Sequence, residues 1–169
     1  MTQEGATVTV PNPTAEPSVA YRTREEQTQA TRQVVALYLQ LLGAGATPAE
    51  LAASFSEDVD WYIAGHVEAV PWLGRRHGRA GVADFFRQFR EGVRQVRVHL
   101  EEPLVDGERA VVLGSFDSLL TASGRVVSSE AAVVMTVRNG LIVRYRILED
   151  SYAVAQTIGD DSGSPGLHT

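Results

Sequence analysis

Four polar side chains, those of Tyr38, His66, Glu68 and Asp117, could take part in acid–base chemistry. Tyr38 lies on the apolar stripe of the first predicted helix, where its hydroxyl could donate a hydrogen bond to a ligand carbonyl or to a developing enolate. A core tyrosine whose hydroxyl is bonded to backbone is an equally good interpretation. The pattern therefore predicts a polar contact at Tyr38 and leaves its partner open.

His66 and Glu68 are two residues apart in a predicted loop. A carboxylate raises the basicity of a neighbouring imidazole and fixes its tautomer, so the pair could act as a general base and its orienting group. Two solvent-exposed loop residues are the competing interpretation, because this spacing is not specific. Asp117 interrupts a mostly apolar predicted strand, and a one-residue bulge would turn its side chain inward.

Five aromatic side chains could line a cavity for a flat, apolar ligand. They are Trp61, Trp72, Phe86, Phe89 and Tyr145. Packing in the hydrophobic core is the alternative for each of them. Core packing is a weaker alternative for Trp72 than for the other four, because Trp72 lies in a loop rich in glycine and proline, where it could act as a lid.

The stretch Asp60–Phe89 must position most of these candidates. Val59–Ile63 is rich in aromatic and β-branched residues and predicts a short strand, which Gly65 ends. After Gly81, apolar residues recur with the spacing of one helix face. These residues are Val82, Phe85, Phe86, Phe89 and Val93. Strand, loop and helix together would form one wall and the lip of a pocket.

A basic turn precedes this helix and contains Arg75, Arg76, His77 and Arg79. Such a turn could hold a phosphate or a carboxylate, and a solvated turn is the alternative. The four histidines are not spaced as i and i+4 and have no helical carboxylate partners. The sequence therefore predicts no metal site, and no cofactor is expected.

Two helices are predicted before the central strand. The first runs to about Leu42, with Thr23 or Thr28 as its N-cap. The segment Thr47–Glu50 has threonine at the cap, proline at the first helical position and glutamate three residues after the cap. This order predicts a capping box and a short helix that ends near Phe55.

Four strands follow the central helix. They are Arg94–Leu104, Arg109–Thr121, Val126–Arg138 and Leu141–Leu148. The dipeptides Asp106-Gly107 and Asn139-Gly140 predict hairpin turns between them. A strand-like segment at Ala6–Val10 could add to a sheet edge, and Asp150 could cap a brief helix through Ile158.

The order of these elements predicts one α+β domain over residues 23–158. We expect a curved antiparallel or mixed sheet wrapped around helices in a cone shape, enclosing one pocket. Residues 1–22 and 159–169 are rich in small and polar residues and are predicted to be flexible tails.

The composition excludes several classes of function. The chain has 169 residues, no cysteine, a net charge of −6 and a pI of about 5.2. It therefore offers no electrostatic surface for nucleic acid or an anionic membrane. No apolar run approaches the about 18 residues of a membrane span, and the first residues lack the pattern of a secretory signal. We expect a cytoplasmic protein without disulfides.

Two segments resemble the SnoaL-like branch of the nuclear-transport-factor-2-like superfamily. The first contains Trp61, Gly65 and the run PWLGRRHGRAGVADFF, and the second is VVMTVRNGLIVRYRILED. The resemblance covers about Arg24 to Gly159, and ketosteroid isomerase, scytalone dehydratase and limonene epoxide hydrolase share the fold. It implies a cone-shaped domain, a homodimer formed through the open sheet face, and a pocket for a hydrophobic, oxygenated molecule of polyketide or terpenoid type.

The resemblance also implies where acid–base residues would lie. The His and Asp of the aldol cyclases fall on Val133 and Ile147, and the Arg, Asp and Asp of limonene epoxide hydrolase fall on Gly114, Phe116 and again Ile147. Together with Ile63, the residues Phe116, Val133 and Ile147 are therefore expected to form apolar walls of the pocket. Glu130 lies three residues before Val133, so strand alternation puts the two side chains on opposite faces of the sheet. Glu130 is therefore expected to point away from the pocket.

Ketosteroid isomerase provides two further comparisons. Its carboxylate base falls near Tyr62, which cannot take that role. Its oxyanion-donating tyrosine on the first helix matches Tyr38 in position.

Three functions follow as hypotheses. The first is a cyclase or isomerase that acts by positioning and hydrogen bonding, in which Tyr38 polarises a carbonyl and His66 moves a proton. An epoxide hydrolase is disfavoured because its acid–base set is absent. The alternative is a non-catalytic binding protein with the same pocket, and the third is a protein-interaction module, which predicts no enclosed cavity. Tyr38 and His66 converging on one free volume would favour catalysis.

Overall fold

The computed structural model of the chain describes residues 19–65, 67–68 and 70–149. The segment Ala6–Val10, His66 and the predicted helix from Asp150 to Ile158 lie outside the described residues. The first helix begins at Val19, inside the range that was predicted as a flexible tail. No helix among the described residues is long and apolar enough to cross a membrane.

Three helices occur among the described residues, and local sequence signals explain the limits of the second. Helix α1 spans Val19–Gly43, α2 spans Pro48–Ala52 and α3 spans Gly78–Gly92. The capping box predicted before α2 is confirmed, because the Thr47 hydroxyl accepts from the Glu50 amide while the Glu50 carboxylate accepts from the Thr47 amide. The helix ends at Ala52, because strand β1 already begins at Phe55.

Neither Thr23 nor Thr28 caps α1, because both lie inside it. The Thr28 hydroxyl instead donates to the Arg24 carbonyl and accepts from the Gly107 amide. The Thr31 hydroxyl donates to the Gly107 carbonyl at 2.8 Å. These bonds dock α1 against the Gly107 turn, and its buried stripe of Thr31, Val35 and Tyr38 faces the sheet.

In the part of the chain that the structure describes, seven strands form one open sheet. They are β1 Phe55–Ile63, β2 Gly74–His77, β3 Val93–Leu100, β4 Leu104–Asp106, β5 Arg109–Leu120, β6 Val126–Arg138 and β7 Leu141–Glu149. The order across the sheet is β2-β1-β7-β6-β5-β3, and β4 pairs with β5. The β1–β7 pair is parallel and the other pairs are antiparallel. The predicted α+β class with a mixed sheet is confirmed.

Three strand limits differ from the sequence prediction. The basic turn around Arg75–His77 is strand β2, which pairs with Asp60–Ile63 of β1. Strand β1 begins at Phe55, four residues before the predicted start at Val59. The predicted strand Arg94–Leu104 is two strands, because its pairing with β5 is interrupted at residues 101–103.

The hairpin at Asn139-Gly140 is confirmed and has the geometry of a two-residue type I′ turn. Asn139 has φ 51° and Gly140 has φ 77°, and Arg138 pairs with Leu141 directly beside them. Positive φ at both positions matches the right-handed twist of the two strands. This turn aligns β6 with β7, and so fixes which residues of β7 face the helices.

The helices cover the concave face of the sheet and give the cone shape of the nuclear-transport-factor-2-like fold. Aromatic side chains from α1, α3, β1 and β7 fill the narrow end of the cone, where Trp61 stacks on Tyr145 with ring centres 4.2 Å apart. Phe55 and Phe85 pack against Trp61 at 5.4 and 4.7 Å. The cavity lies beside this aromatic cluster, at Ile63 and Ile147, two residues further along β1 and β7.

Candidate functional site

A cavity of about 100 Å³ lies between the concave sheet face and helix α3. It belongs to a larger atom-free space of about 500 Å³ that opens to solvent. Its apolar walls are Ile63, Trp72, Leu73, Phe85, Phe89, Phe116, Ala131, Val133 and Ile147. A cavity of about 150 Å³ can hold benzene, so the enclosed part here accepts one edge of a ligand while the remainder extends through the opening.

Strand register explains why these residues meet. Ile147 pairs with Val133 on β6, and Val133 pairs with Val112 on β5. Directly opposed residues share a face of the sheet, and every second residue along each strand returns to it. The same face therefore also carries Phe116 and Glu149.

The loop that carries Trp72 is held against α3 by Arg76. The Arg76 guanidinium donates to the Pro71 carbonyl at 2.7 Å, to Asp84 at 3.0 Å and to Gln88 at 3.0 Å. The side chain of Arg76 is largely buried, which strengthens these charge-assisted bonds. Trp72 is therefore a fixed wall of the cavity in this conformation, and its ring meets Phe89 edge to face at 6.2 Å.

Gly92 at the end of α3 makes room for the Trp72 indole, because a Cβ added at Gly92 would overlap the ring. We predict that Gly92→Ala lowers the free energy of unfolding by about 1–3 kcal/mol through this overpacking. Urea unfolding measures the loss. Combining it with Trp72→Phe should restore most of the stability, because the smaller ring removes the overlap. Additive effects of the two substitutions would contradict this contact.

Four polar side chains also line the cavity, namely Gln95, Ser118, Ser129 and Glu149. Burial raises the pKa of the Glu149 carboxyl above its ordinary value. The Ser118 hydroxyl donates to the side-chain oxygen of Gln95 at 3.1 Å. None of the described residues that line the cavity is basic. The site thus combines an apolar cleft, one carboxyl group of raised pKa and an amide.

Six of the nine predicted ligand-binding residues line this cavity, and three do not. Those that do are Ile63, Trp72, Phe89, Phe116, Val133 and Ile147. Trp61, Phe86 and Tyr145 instead belong to the buried core. Trp61 and Tyr145 lie on the cavity face of their strands, two residues further towards the narrow end, where they stack on each other and leave no free volume.

Tyr38 also belongs to the core and does not line the cavity. Its hydroxyl donates to the Tyr145 hydroxyl at 3.2 Å. Burial, followed by the proximity of Tyr145, raises the pKa of Tyr38 well above its ordinary value. The predicted polar contact is therefore made by a second tyrosine, and neither a ligand nor the backbone supplies it.

Asp117 lies on the outer face of the sheet, away from the cavity. Its carboxylate accepts from Ser128 at 2.7 Å and pairs with Arg97 at 2.8 Å, and these contacts lower its pKa. The bulge that could have turned it inward is absent from the β5–β6 pairing, where the register is continuous around Asp117. Glu130 also faces outward, as predicted, because it pairs with Ser115 two positions from Asp117.

Glu68 is exposed in the loop before Trp72 and does not line the cavity. Arg75 of β2 and Arg79 in the first turn of α3 are engaged within the protein. Arg75 pairs with Asp60 at 3.5 Å, and Arg79 pairs with Glu57 at 2.8 Å and donates to the Phe55 carbonyl. These contacts replace the predicted solvated turn and leave no cluster of unpaired guanidinium groups for an anion.

Sequence reasoning missed Glu149 and Gln95. Glu149 had a readable signal, because it lies two residues after Ile147 and alternation alone puts both on one face. No comparable signal in the sequence marks Gln95, because the β3–β5 register shifts between Gln95 and Arg97 and alternation from the later residues of β3 therefore fails. This bulge lets Gln95 share a face with Val98 although they are three residues apart.

A mixed, open sheet closed by helices over an apolar cavity defines a nuclear-transport-factor-2-like fold. The family model of the SnoaL-like domain matches residues 35–145, more than half of the chain. The chain belongs to this family. A search of curated proteins gives no match.

Solved structures share the fold. A protein from Rhodopseudomonas palustris, provisionally named an isomerase, is 28% identical over 65% of this chain and 82% of its own, with a TM-score of 0.59. A nuclear-transport-factor-2-like protein from Burkholderia xenovorans is 25% identical over 78% and 98% of the two chains, with a TM-score of 0.67. A provisionally named SnoaL-like polyketide cyclase from Mesorhizobium loti is 22% identical over 69% and 96%, with a TM-score of 0.59.

Proposed function

We propose that this protein is a SnoaL-like isomerase or cyclase that acts on a hydrophobic, oxygenated small molecule, with Glu149 as the proton-transferring group. The observation that carries the proposal is the carboxyl of Glu149 in the wall of an otherwise mainly apolar cavity. Burial raises its pKa, which makes the carboxylate a stronger base and brings its pKa closer to neutral pH.

The reaction class follows from what such a group can do. The Glu149 carboxylate takes a proton from a carbon next to a carbonyl, and the electron pair of the C–H bond moves to the carbonyl oxygen as an enolate. In a substrate with a C=C bond beyond that carbon, the enolate is conjugated, and the protonated Glu149 returns the proton to the far end of the conjugated system, which moves the double bond and isomerises the substrate. In a cyclisation, the enolate carbon instead bonds to a second carbonyl carbon of the same molecule, and Glu149 protonates the resulting alkoxide.

Membership of the SnoaL-like family supports this class of reaction. The provisional names of two similar structures, isomerase and SnoaL-like polyketide cyclase, support it as well. The apolar walls favour a molecule of polyketide or terpenoid type. Tyr38 has no part in this step, because its hydroxyl is bonded within the core.

The test needs no knowledge of the natural substrate. 2-Tetralone is an apolar bicyclic ketone with exchangeable protons beside its carbonyl. Incubated with the protein in D₂O, it should exchange these protons faster than in buffer alone, with a rate that saturates as its concentration rises. NMR measures the exchange directly.

The second candidate is a non-catalytic binding protein with the same pocket. Its support is the core position of Tyr38, which leaves fewer polar groups at the cavity than the sequence suggested. Saturable binding of 2-tetralone without accelerated exchange would favour this candidate over the enzyme. The third hypothesis, an interaction module, predicts no enclosed cavity, whereas this chain has a small cavity that opens to solvent.

We also propose that two copies associate through the outer sheet face. Leu113, Ala132 and Leu148 form a row across β5, β6 and β7, and Leu113 and Leu148 are 38% and 58% exposed. Native mass spectrometry should give twice the chain mass of 18.3 kDa. Leu113→Asp should yield monomers, because it places two charges at the interface, whereas Leu37→Asp on exposed α1 should leave dimers. A monomeric wild type would contradict the proposal.

A further inference from the structure

Gln95 lies immediately before the β3 bulge, on the same face of the strand as Val93 two residues earlier. Gln95 pairs with Ser118 before the register shifts, and both side chains line the cavity. Gln95 lies on β3, whereas Glu149 lies on β7, so strands β5 and β6 separate them. Three inter-strand steps of about 4.8 Å each separate them across the sheet, and their register partners on β6, Val127 and Ala131, are four residues or about 13 Å apart along the strand. The amide and the carboxyl therefore act from different sides of the cavity.

Ser118 fixes how the Gln95 amide can be used. Its hydroxyl donates to the Gln95 oxygen at 3.1 Å, which occupies the acceptor end of the amide. The amide nitrogen carries two donor hydrogens and no acceptor. Among the described residues, no hydrogen bond engages that nitrogen. The free end of Gln95 is therefore a hydrogen-bond donor.

The charges around the cavity determine which ligands suit this donor. Glu149 is the ionisable group in its wall, and none of its described lining residues is basic. A carboxylate or phosphate on the ligand would meet Glu149 without a counter-ion, which is unfavourable in a mainly apolar site. A neutral carbonyl oxygen accepts a hydrogen bond at no such cost.

We infer that Gln95, held by Ser118, recognises a neutral carbonyl oxygen of the substrate and so determines specificity for ketones and quinones over hydrocarbons and acids. The inference rests on the proposed function, because it takes the same cavity as the substrate site. In that reaction the Gln95 amide would lie where the enolate oxygen develops, and Glu149 would act on the carbon beside it.

The test compares three probes that share one bicyclic skeleton. They are 2-tetralone, tetralin without the oxygen, and tetralin-2-carboxylate. Binding is measured by ligand-observed NMR titration, which needs no turnover. Wild-type protein should bind the ketone about 10-fold more tightly than either other probe, the difference expected for one good hydrogen bond.

Gln95→Leu should abolish the ketone preference while tetralin affinity stays within about 2-fold, since the bulk of the side chain remains. Ser118→Ala should reduce the preference by about 2- to 3-fold, because the amide is no longer oriented. The matched control Gln33→Leu, on the exposed surface of α1, should behave like wild type. Partial rescue by Gln95→Asn would show that the amide group matters.

Three results would overturn the inference. They are equal affinity of wild type for ketone and tetralin, a ketone preference that survives in Gln95→Leu, and tighter binding of the carboxylate probe. Failure of the proposed function has a different signature: the ketone preference is present and depends on Gln95, yet 2-tetralone shows no accelerated exchange.

Discussion

Replacing Glu149 with glutamine should lower the rate of 2-tetralone proton exchange by about 10²- to 10⁴-fold, the usual contribution of a positioned general base. Glutamine keeps the size and polarity of the side chain but cannot accept a proton at the relevant pH. Binding of the ketone should change little, because Gln95 makes the proposed contact with its oxygen. The expected pattern is therefore a loss in kcat without a comparable change in KM.

The pH dependence gives a second measurement of the same residue. Burial raises the pKa of Glu149 above the ordinary value of 4.5. Because the carboxylate is the active form, the exchange rate should rise with pH through this raised pKa and then level off. The midpoint should lie above 4.5 in wild type, and the pH-dependent step should disappear in Glu149→Gln.

Glu130→Gln is the matched control, because Glu130 lies on the outer face of β6 and is exposed. It removes the same charge without touching the cavity and should leave the rate unchanged. If Glu149→Gln and Glu130→Gln exchanged 2-tetralone equally fast, Glu149 would not be the base.

The elements that the sequence predicted best are those with local causes. The α2 capping box, the Asn139-Gly140 turn and the apolar stripe of α3 depend on residues within a few positions of each other, and all are present, except that Val93 of the predicted stripe lies in strand β3. Strand β2 depends on pairing with β1 some 15 residues away. Its sequence reads as a basic turn because two arginines and a histidine carry no apolar pattern of their own.

The cavity floor was predictable only where strand alternation holds. Val133, Ile147 and Phe116, which the family resemblance placed in the pocket wall, line the cavity, whereas the resemblance said nothing of Gln95, which lies beside a bulge in the β3–β5 pairing. The sequence also does not predict which residues of one strand face border free volume and which are packed in the core. Ile147 and Tyr145 share one face, yet the large aromatic ring fills the narrow end and the smaller aliphatic side chain borders free volume.

The buried pair of Tyr38 and Tyr145 should make the protein lose stability steeply at alkaline pH. Burial raises the pKa of Tyr145 to about 12 and that of Tyr38 well above its ordinary value. In the unfolded chain both hydroxyls ionise near pH 10, so between pH 10 and 12 the folded state binds more protons than the unfolded state. Stability is therefore fully present below pH 10 and falls as pH rises.

The size of the loss follows from the shift. Two pKa units at Tyr145 correspond to about 3 kcal/mol between pH 10 and 12, and Tyr38 adds to this. The sequence contains no lysine and no cysteine, and its basic side chains other than histidine are arginines. Arginine remains charged throughout this range, so the tyrosines dominate the titration. Urea unfolding measured between pH 8 and 11.5 should show the decline.

A double variant separates the buried pair from the other tyrosines. Tyr38→Phe with Tyr145→Phe removes both hydroxyls, so the packing of the rings is kept and no unpaired polar group remains, and stability at pH 7 should change little. Tyr38→Phe alone should cost about 1–3 kcal/mol, because the Tyr145 hydroxyl stays buried without its partner. Above pH 10 the double variant should lose stability far less steeply than wild type. Parallel curves for the two proteins would show that surface tyrosines cause the decline, whereas a flatter curve for the double variant would assign Tyr38 to the folded core as a structural residue outside the catalytic site.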